Sequence, residues 1–465
     1  YIMVVQHNMQ AANANRMLNI TTGAQSKSTE KLSSGYRINR AADDAAGLSI
    51  SEKMRKQIRG LDKASSNAED GVSSVQTAEG ALTEVHSMLQ RMNELAVQAS
   101  NGTNSDTDRG AIQDEISQLT TEIDRVAETT KFNETYLLKG GNGTKDVYMN
   151  GHDAGLKGTL TDSATTATFK VAAGALDAGK SVTIGGKDYT IGSTLDETKA
   201  LATAAKAATN TSFTVDDTKY NVDAAGKITK DGDAAAQEVA VDDIVKTGSK
   251  VSYDGKTLTA ADIDAATGVD KSDSSVISAA HAVDLMEKEL TAANNIGATK
   301  TAATAKKAAA YTSKDGVTFN IKKGTAEVAD KLSFSLHVGS DADMTNKITV
   351  DIETMNSSYL GIKGLNVNDD SGIAGTYAID AISDALQKVS EQRSSLGAVQ
   401  NRLEHTIDNL DNVVENTTTA ESRIRDTDMA EEMVNYSKNN ILAQAGQSML
   451  AQANQSNQGV LSLLQ

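Results

Sequence analysis

The histidines and the acidic pairs are the residues whose types could support catalysis or metal binding. The six histidines lie far apart, at His7, His86, His152, His281, His337 and His405. No two of them stand four residues apart and no HExxH motif occurs, so two imidazoles cannot reach one zinc ion from a single helix face. The acidic pairs are Asp43-Asp44, Asp242-Asp243 and Asp369-Asp370. None has the alternating spacing of a calcium loop, which favours solvated acids or helix caps.

Motifs for nucleophilic catalysis and phosphate binding are also missing from the sequence. The chain has no cysteine, which removes thiolate nucleophiles, disulfides and thiolate metal ligands. Glycine pairs such as Gly140-Gly141 predict turns, because no Walker or dinucleotide fingerprint follows a strand. No GxSxG motif occurs either. We therefore predict a protein that is not an enzyme and that uses neither a metal nor a cofactor.

The composition limits the partners that this protein can bind. The chain has 465 residues, a formal net charge of −17, no proline and no tryptophan. At about 150 residues per domain, this length predicts roughly three domains. An acidic chain is poorly suited to nucleic acid or an anionic membrane surface, since both need a basic face. No run of about 18 apolar residues could span a bilayer, and the N-terminus lacks the basic-then-apolar pattern of a cleaved signal peptide.

Long helix seams are predicted near both ends of the chain. Aromatic residues make up 3% of the sequence, so the interior must come mainly from aliphatic side chains, as in coiled coils. Apolar or small residues recur in steps of three and four over Leu61–Ala99 and again over Ile379–Val414. A second N-terminal helix is predicted over Ile112–Val126, capped by Asp106 or Asp108. The two seams are predicted to pack together.

The extreme ends, residues 3–34 and 428–465, form a third class of helix. They are rich in Ala, Asn, Gln and Ser, and their apolar stripes are thin. Isolated helices of this kind are marginal in water. We expect them to fray in the monomer and to become ordered against other subunits. The candidate packing residues are Met9, Met17, Ile20, Ile441, Ala445, Met449 and Leu461.

The middle of the chain has a different composition and is predicted to be an inserted α+β region. No arginine occurs between Arg125 and Arg393. Alternating runs around Gly and Asp-Gly turns predict hairpins over Ser181–Gly192 and Lys250–Thr259. Further strands are expected over Phe213–Val222 and Val317–Ile321, and a last hairpin should pair Leu332–Val338 with Lys347–Glu353. Helices are predicted over Thr198–Ala208, Ser278–Asn295 and Thr299–Ala310.

The segment Leu32–Leu61 interrupts the smooth helical pattern with Gly35 and Gly47. We interpret it as a non-helical link between two helices. Arginine and aspartate form strong bidentate pairs, so the link is predicted to be held by pairs among four residues. These are Arg37, Arg40, Asp43 and Asp44.

Several long motifs are distinctive in this sequence. They are LSSGYRINRAADDAAGLSISEKMRKQIRGL at 32–61, NAEDGVSSVQTAEGALTEVHSMLQRMNELAVQASN at 67–101, and RSSLGAVQNRLEHTI, AESRIRDTDMA and ILAQAGQSMLAQAN within 378–464. Together these motifs resemble bacterial flagellin, the subunit of the flagellar filament. The resemblance implies a secreted subunit that is exported by the flagellar type III route and forms a homopolymer. It implies an inner filament core from 1–44 and 421–465, a rod domain with a β-hairpin from 45–139 and 331–420, and a variable outer domain from 140–330.

The resemblance also implies partners outside the filament. The family's rod domain is read by an animal Toll-like receptor around LQRxxELAVQ, which here selects Gln90, Arg91, Leu95 and Glu115. Asn93 departs from the second arginine that many relatives carry. A cytoplasmic export chaperone would bind 428–465, and a cap would meet the growing filament end. Two alternatives remain open at this stage: a hook–filament junction protein, and a secreted coiled-coil adhesin or translocator.

Overall fold

The computed structural model describes residues 8–233, 237–369 and 371–462, with side chains as far as residue 456. The helices are α1 Met9–Ser34, α2 Ala45–Ala99, α3 Asp106–Thr129, α4 Leu195–Ala207, α5 Val241–Ile244, α6 Ala279–Asn294, α7 Ser357–Leu360, α8 Ile373–Arg425 and α9 Met429–Ser462. The strands are β1 Lys131–Phe132, β2 Thr135–Tyr136, β3 Thr144–Tyr148, β4 Thr159–Asp162, β5 Thr166–Val171, β6 Ser181–Ile184, β7 Lys187–Ile191, β8 Thr211–Val215, β9 Thr218–Val222, β10 Ile228–Lys230, β11 Lys250–Tyr253, β12 Lys256–Thr259, β13 Val276–Ile277, β14 Thr304–Lys307, β15 Val317–Lys322, β16 Thr325–Ala329, β17 Leu332–His337 and β18 Lys347–Ile352.

These elements divide into two compact units. The terminal unit contains the chain up to Ser73, the segment Ser335–Thr349 and the chain from Val399 onward. The central unit contains Ser74–Phe334 and Val350–Ala398. The long helices α2 and α8 contribute residues to both units, as does the predicted hairpin, which is confirmed as β17 paired with β18. The observed architecture confirms the predicted fold class, with helical ends and a β-rich middle.

In the terminal unit, α2 and α8 pack along the seam that the sequence spacing predicts. Leu61 and Ala64 of α2 form a buried cluster with Leu410 of α8. The next cluster joins Ala68 to Leu403 and to Ile348 of the hairpin. The helical period of three and four residues places these side chains on one face, so their burial follows from the sequence pattern.

Gly71 allows the hairpin to approach α2 closely. A Cβ atom at this position would lie 2.2 Å from the Cδ1 of Leu336, which is far inside van der Waals contact. Leu336 packs against the buried cluster around Ala68. The glycine therefore permits close packing of the hairpin on α2, even though glycine within a helix costs about 1 kcal/mol relative to alanine.

In the central unit, the same seam continues with fully buried α2 side chains such as Leu82, Leu89 and Met92. Helix α3 begins at a capping box in which Ser105 is the N-cap and accepts a hydrogen bond from the Asp108 N–H. The prediction that Asp106 or Asp108 is the N-cap was wrong. Asp108 is instead the third residue of the helix, and its carboxylate accepts from the Ser105 N–H at 3.0 Å. The Ser105 hydroxyl also donates to the Asp108 carboxylate at 2.8 Å, and this hydrogen bond, followed by the one from the Ser105 N–H, lowers the pKa of Asp108.

The inserted middle includes two large cores within the central unit, besides a smaller cluster around Met149. One core packs α6 against the four-stranded sheet β14-β15-β5-β4 and the three-stranded sheet β13-β7-β6, and its centre includes Phe169 and Phe319. The other packs α4 against the five-stranded sheet β10-β9-β8-β11-β12, around Phe213. The chain enters and leaves this second module side by side, because Ser193 and Ala260 form a parallel bridge. The predicted hairpins over Ser181–Gly192 and Lys250–Thr259 are confirmed.

The predicted helix over Thr299–Ala310 is wrong, because Thr304–Lys307 forms the edge strand β14. Its alanines and lysines favour a helix locally. The strand instead pairs with β15, and it buries Ala305 to 4% exposure. The Ala305 N–H also donates to the Thr291 hydroxyl of α6 at 3.2 Å. Tertiary pairing therefore outweighs local propensity at this position.

Candidate assembly surfaces

The terminal helices α1 and α9 pack together within the terminal unit as an antiparallel pair. At one end the Asn8 side chain donates to the Ala453 carbonyl at 3.3 Å. At the other end Lys31 lies 3.6 Å from the Glu432 carboxylate. Helix α1 ends at Gly35, whose left-handed φ of 77° lets its N–H reach the Lys31 carbonyl. We call α1 and α9 together the terminal helix pair.

The terminal helix pair leaves large apolar side chains in solvent. The predicted packing residues are mostly exposed, with values of 74% for Met9, 57% for Met17, 60% for Ile20, 67% for Ile441 and 61% for Met449. Ala445 is also exposed. The side chain of Leu461 lies outside the described residues. A monomeric protein rarely exposes contiguous apolar groups of this size unless they meet a partner.

Sequence reasoning missed further exposed apolar residues on α9. They are Met429, Met433, Val434 and Leu442, each between 47% and 68% exposed. The sequence signal that could have identified them is the spacing of methionine and leucine along an otherwise amide-rich helix. Together with the predicted residues, they give most of the described large apolar side chains that are exposed anywhere in the chain.

A groove of about 640 Å³ runs between the two helices of this pair. Met17 and Met449 contribute its apolar wall, and Gly446 leaves room for Leu18 across the pair. Amides line its rim, among them Gln10 and Gln452. Methionine side chains adapt to irregular apolar surfaces, so the apolar wall of this groove is adaptable in shape.

The link between α1 and α2 is shorter than predicted, and its charged residues pair differently. Helix α2 already begins at Ala45, so only residues 35–44 are non-helical. Within the described chain, the predicted arginine–aspartate pairs do not form. Arg40 contacts Glu30 at 2.9 Å, and Arg37 donates from its guanidinium to the Ile424 carbonyl and from its N–H to the Arg425 carbonyl. The arginines therefore join the link to neighbouring helices rather than to its own acids.

The two aspartates of the link stabilise backbone turns instead. Asp43 accepts from the Arg40 N–H at 3.0 Å, and this hydrogen bond, together with that from Asn39, lowers the pKa of the Asp43 carboxyl. Asp44 accepts from the Gly47 N–H at 2.9 Å, which makes it the cap of α2. The prediction failed because a short aspartate side chain reaches nearby N–H groups more easily than a distant guanidinium.

Tyr36 anchors the link to the end of α8. Its ring lies under the Arg425 guanidinium at 5.0 Å and near the Arg55 guanidinium at 5.8 Å. Its backbone bridges Asp426, and the Thr427 N–H donates to the Gly35 carbonyl. Cation–π contacts of this kind contribute about 0.5–1 kcal/mol each at exposed sites. The start of α2 and the end of α8 are therefore held by one shared aromatic residue.

The predicted receptor contacts lie in the central unit and are only partly available to a partner. Gln90 is exposed, and Arg91 is half exposed and bridges Glu115 at 2.9 Å and Glu94 at 3.1 Å. The hydrogen bonds that the Arg91 guanidinium donates to Glu115 and then to Glu94 raise the pKa of Arg91. Leu95 is 2% exposed because it occupies the helix seam, which contradicts its selection as a contact residue.

Arg109 is a structural residue that sequence reasoning missed. It is 3% exposed and donates to the Ala99 carbonyl at 3.1 Å and to the Asp369 carbonyl at 3.2 Å. It therefore caps the end of α2 and ties it to the loop before α8. Its position on the buried face of α3, in step with Ile112 and Ile116, was the signal that could have identified it.

The acidic pairs act as caps and surface ions. The Asp369 carboxylate accepts from the Gly372 and Ile373 N–H groups at the start of α8, at 2.8 and 3.1 Å. Burial raises its pKa, but these bonds and the one from Ser371 outweigh burial, so the pKa is lowered. Asp242 pairs with Lys199 at 2.8 Å, and Asp370 lies outside the described residues. Across the described ranges, no cluster of three metal-ligating side chains occurs, and no helix is apolar and long enough to cross a membrane.

These features define a class of protein. Two long helices from opposite ends of the chain form a shared seam, a β-rich region is inserted between them, and the terminal helix pair exposes apolar side chains. A chain built in this way has the features of a structural subunit for a helical assembly, since exposed apolar side chains on the terminal helices are typical of surfaces that meet a partner.

Comparison with known proteins identifies the family. The sequence profile of the bacterial flagellin N-terminal helical region matches residues 5–143, and that of the C-terminal helical region matches residues 379–464. Flagellin of Clostridium tyrobutyricum is 40% identical over 459 residues, covering 98% of this chain and 100% of the relative. Flagellin of Bacillus subtilis (strain 168) is 36% identical over 464 residues, covering 99% and 100%. The chain belongs to the bacterial flagellin family, and it is a self-assembling structural subunit of the flagellar filament.

Proposed function

We propose that this subunit polymerises through the exposed apolar residues of the terminal helix pair. The observation that carries the proposal is the concentration of exposed Met, Ile, Leu and Val on α1 and α9. Burying one such side chain contributes about 1.5–3 kcal/mol, so several per contact can hold a polymer together. The junction-protein alternative is less well supported, because the full-length relatives named above are flagellins.

The layers of the filament and its other partners belong to the same proposal. Residues 1–44 and 421–465 form the inner core, 45–139 and 331–420 the rod, and 140–330 the outward insertion. The export chaperone binds 428–465 before secretion by the type III route, and the cap receives each new subunit at the filament tip. The amide-rich, weakly amphipathic sequence of α9 supports the chaperone role, since such a helix gains order by packing on a partner.

Four substitutions test the assembly proposal. We expect Met17→Asp, Ile20→Asp, Ile441→Asp and Met449→Asp together to raise the critical concentration for polymerisation by at least about a hundredfold, which corresponds to about 2.8 kcal/mol. The monomer should keep its fold, because each side chain is more than half exposed. Sedimentation of polymer from monomer, with electron microscopy of the pellet, measures the effect.

The matched control changes equally exposed apolar residues elsewhere. Val97, Tyr136, Tyr148 and Met344 are between 42% and 74% exposed and lie outside the terminal helix pair. Aspartate at these four positions should leave the critical concentration within about threefold of the intact chain. The proposal fails if the two quadruple variants polymerise equally well.

A second proposal concerns the exposed pair Arg91 and Glu115 with Gln90. Their exposure and their position on two neighbouring helices support recognition by an animal Toll-like receptor. An interfacial arginine can cost about 2 kcal/mol or more when truncated. We therefore expect Arg91→Ala to weaken receptor binding by roughly thirtyfold in surface plasmon resonance. Arg125→Ala is the control, because Arg125 is an exposed arginine of α3 that pairs with Glu122, and it should leave the affinity unchanged. Equal affinity of the Arg91→Ala variant and the intact chain would reject this contact.

A further inference from the structure

A stripe of basic side chains on α2 has no partner within its own chain. Lys56, Arg59 and Lys63 are exposed and recur at steps of three and four, so they lie on one side of the helix. At 3.6 residues per turn this side is opposite Leu61 and Ala64, which face the seam. Among the described residues, none of the three basic groups has a carboxylate within 4 Å. We call these three residues the basic stripe.

A stripe of acidic side chains runs along α8 in the same unit. Glu404, Asp408, Asp411 and Glu415 are exposed, and their steps of four, three and four keep them on one side of the helix. This side lies about a third of a turn away from the buried Leu403 and Leu410. No described lysine or arginine lies within 4 Å of these carboxylates. We call these four residues the acidic stripe.

The two stripes lie at overlapping heights along the helices. The Ser65 hydroxyl donates to the Asp411 carboxylate at 3.2 Å, and Arg55 lies 3.4 Å from Glu421. Residues 55–65 of α2 therefore face residues 411–421 of α8. Residues 56–63 therefore face residues 413–420, so the basic stripe meets the level of the acidic stripe only at Glu415. At about 1.5 Å per residue, the centres of the two stripes are offset along the helices by roughly 10 Å.

We propose that the basic stripe of one subunit docks against the acidic stripe of a second copy of this chain. The charges are complementary in sign and similar in spacing, so two copies can stand side by side in the same direction when one is shifted along the helix axis by roughly 10 Å. A contact between two different surfaces is heterologous, and it leaves a free stripe on each outer subunit for the next copy. This inference rests on the proposed polymerisation and assigns it a lateral contact.

Other residues on the same faces are compatible with this docking. Glu52 lies one turn before Lys56, and Asp70 lies two turns beyond Lys63, so acids bracket the basic stripe and limit how far a partner can slide. Like charges placed opposite each other oppose wrong pairing, which adds selectivity for register. An overall charge of −17 disfavours association at random, so a local basic surface gains importance.

Charge reversal and mixing test the inference. The first variant carries Lys56→Glu, Arg59→Glu and Lys63→Glu, so both of its stripes are acidic. The second carries Glu404→Lys, Asp408→Lys and Glu415→Lys, so both are basic; Asp411 is left intact because it binds Ser65. We expect the critical concentration of each variant alone to rise at least about tenfold. An equimolar mixture of the two should polymerise again, because each copy then meets the opposite charge.

The controls separate this inference from the proposed function. Lys219→Glu, Lys230→Glu and Lys256→Glu change the net charge as much as the first variant does, but on exposed strand residues, and should have little effect on the critical concentration. If the first variant loses helicity by circular dichroism, the neutral set Lys56→Gln, Arg59→Gln and Lys63→Gln replaces it, with an expected rise in critical concentration of about threefold. Unchanged assembly of the stripe variants, or a mixture that does not recover, overturns the docking. Failure of the intact chain to polymerise would instead count against the proposed function.

Discussion

Deletion of residues 1–40 is expected to abolish filament formation at every concentration at which the intact chain polymerises. The deletion removes α1 together with Met9, Met17 and Ile20, and it leaves α9 without the helix against which it packs. The deletion would therefore remove the ordered surface of the whole terminal helix pair, because α9 without α1 is only a marginal helix. Seeded polymerisation followed by electron microscopy measures the result.

The truncated chain should still fold in its central unit. The seam residues Leu82, Leu89 and Met92 and the capping residue Arg109 all lie beyond the deletion. Far-ultraviolet circular dichroism should therefore show a cooperative melt with most of the helical signal retained. Loss of that melt would mean that the deletion prevents folding, and the substitutions in the terminal helix pair would then provide the assembly test.

A matched deletion is available in the insertion. Residues 194–259 form the module around Phe213, and the chain enters and leaves it at the bridged pair Ser193 and Ala260. Because these ends are adjacent, a short glycine linker can replace the module without stretching the chain. This larger deletion should leave filament formation intact. Filaments from the chain without residues 1–40, or none from the chain without the module, would contradict our account of which segments assemble.

Replacement of Phe319 by alanine is expected to destabilise the insertion by about 3–5 kcal/mol, the usual cost of removing a buried phenylalanine ring. Phe319 is fully buried, and it lies opposite Phe169 in the register of β15 and β5. The ring centroids are 6.3 Å apart. In a chain with 3% aromatic residues, this pair supplies an unusually large share of the apolar area at the centre of its core.

The loss should appear as a lower melting temperature for one transition only. Differential scanning calorimetry should show the transition of the insertion shifted down by roughly 10 °C or more. The control Tyr148→Ala removes an aromatic side chain that is 42% exposed, and its effect should stay within about 1 kcal/mol. A shift of equal size in both variants would show that Phe319 does not hold this core together.

Polymerisation should survive the Phe319 substitution at temperatures below the shifted transition. The assembly surfaces proposed here lie on α1, α2, α8 and α9, and none of their residues belongs to the core around Phe319. Stability of the insertion and formation of the filament are therefore expected to be separable properties. Filament yield and calorimetry on the same preparation compare them directly.

The helix seams were the most predictable part of the fold. Positions such as Leu82, Leu89 and Leu403 were identified from spacing alone, and all three are fully buried. The reason is physical: a helix repeats every 3.6 residues, so a periodic apolar pattern decides which face is buried before any partner is known. The hairpin turns around Gly185-Gly186 and Asp254-Gly255 were equally local, because positive φ angles require these residue types.

Side-chain partners were the least predictable part. Arg37 and Arg40 were paired with Asp43 and Asp44 because they are neighbours in the sequence, but the aspartates cap backbone N–H groups and the arginines reach other helices. Leu95 was selected as a receptor contact from a motif, although its place in the seam buries it. The spacing of residues in a sequence does not determine which side chains become neighbours when distant segments pack together.

By itself, the sequence determined the helical ends, the α+β insertion, the exposed apolar composition of the terminal helices and the family resemblance. These features depend on local periodicity, turn chemistry and motif identity. Only the tertiary structure decided that Thr304–Lys307 is a strand, that Arg109 contacts the end of α2, and how far two oppositely charged stripes are offset along their helices. Each of these depends on contacts between residues far apart in the chain, whose free energies can exceed the small local preferences of the backbone.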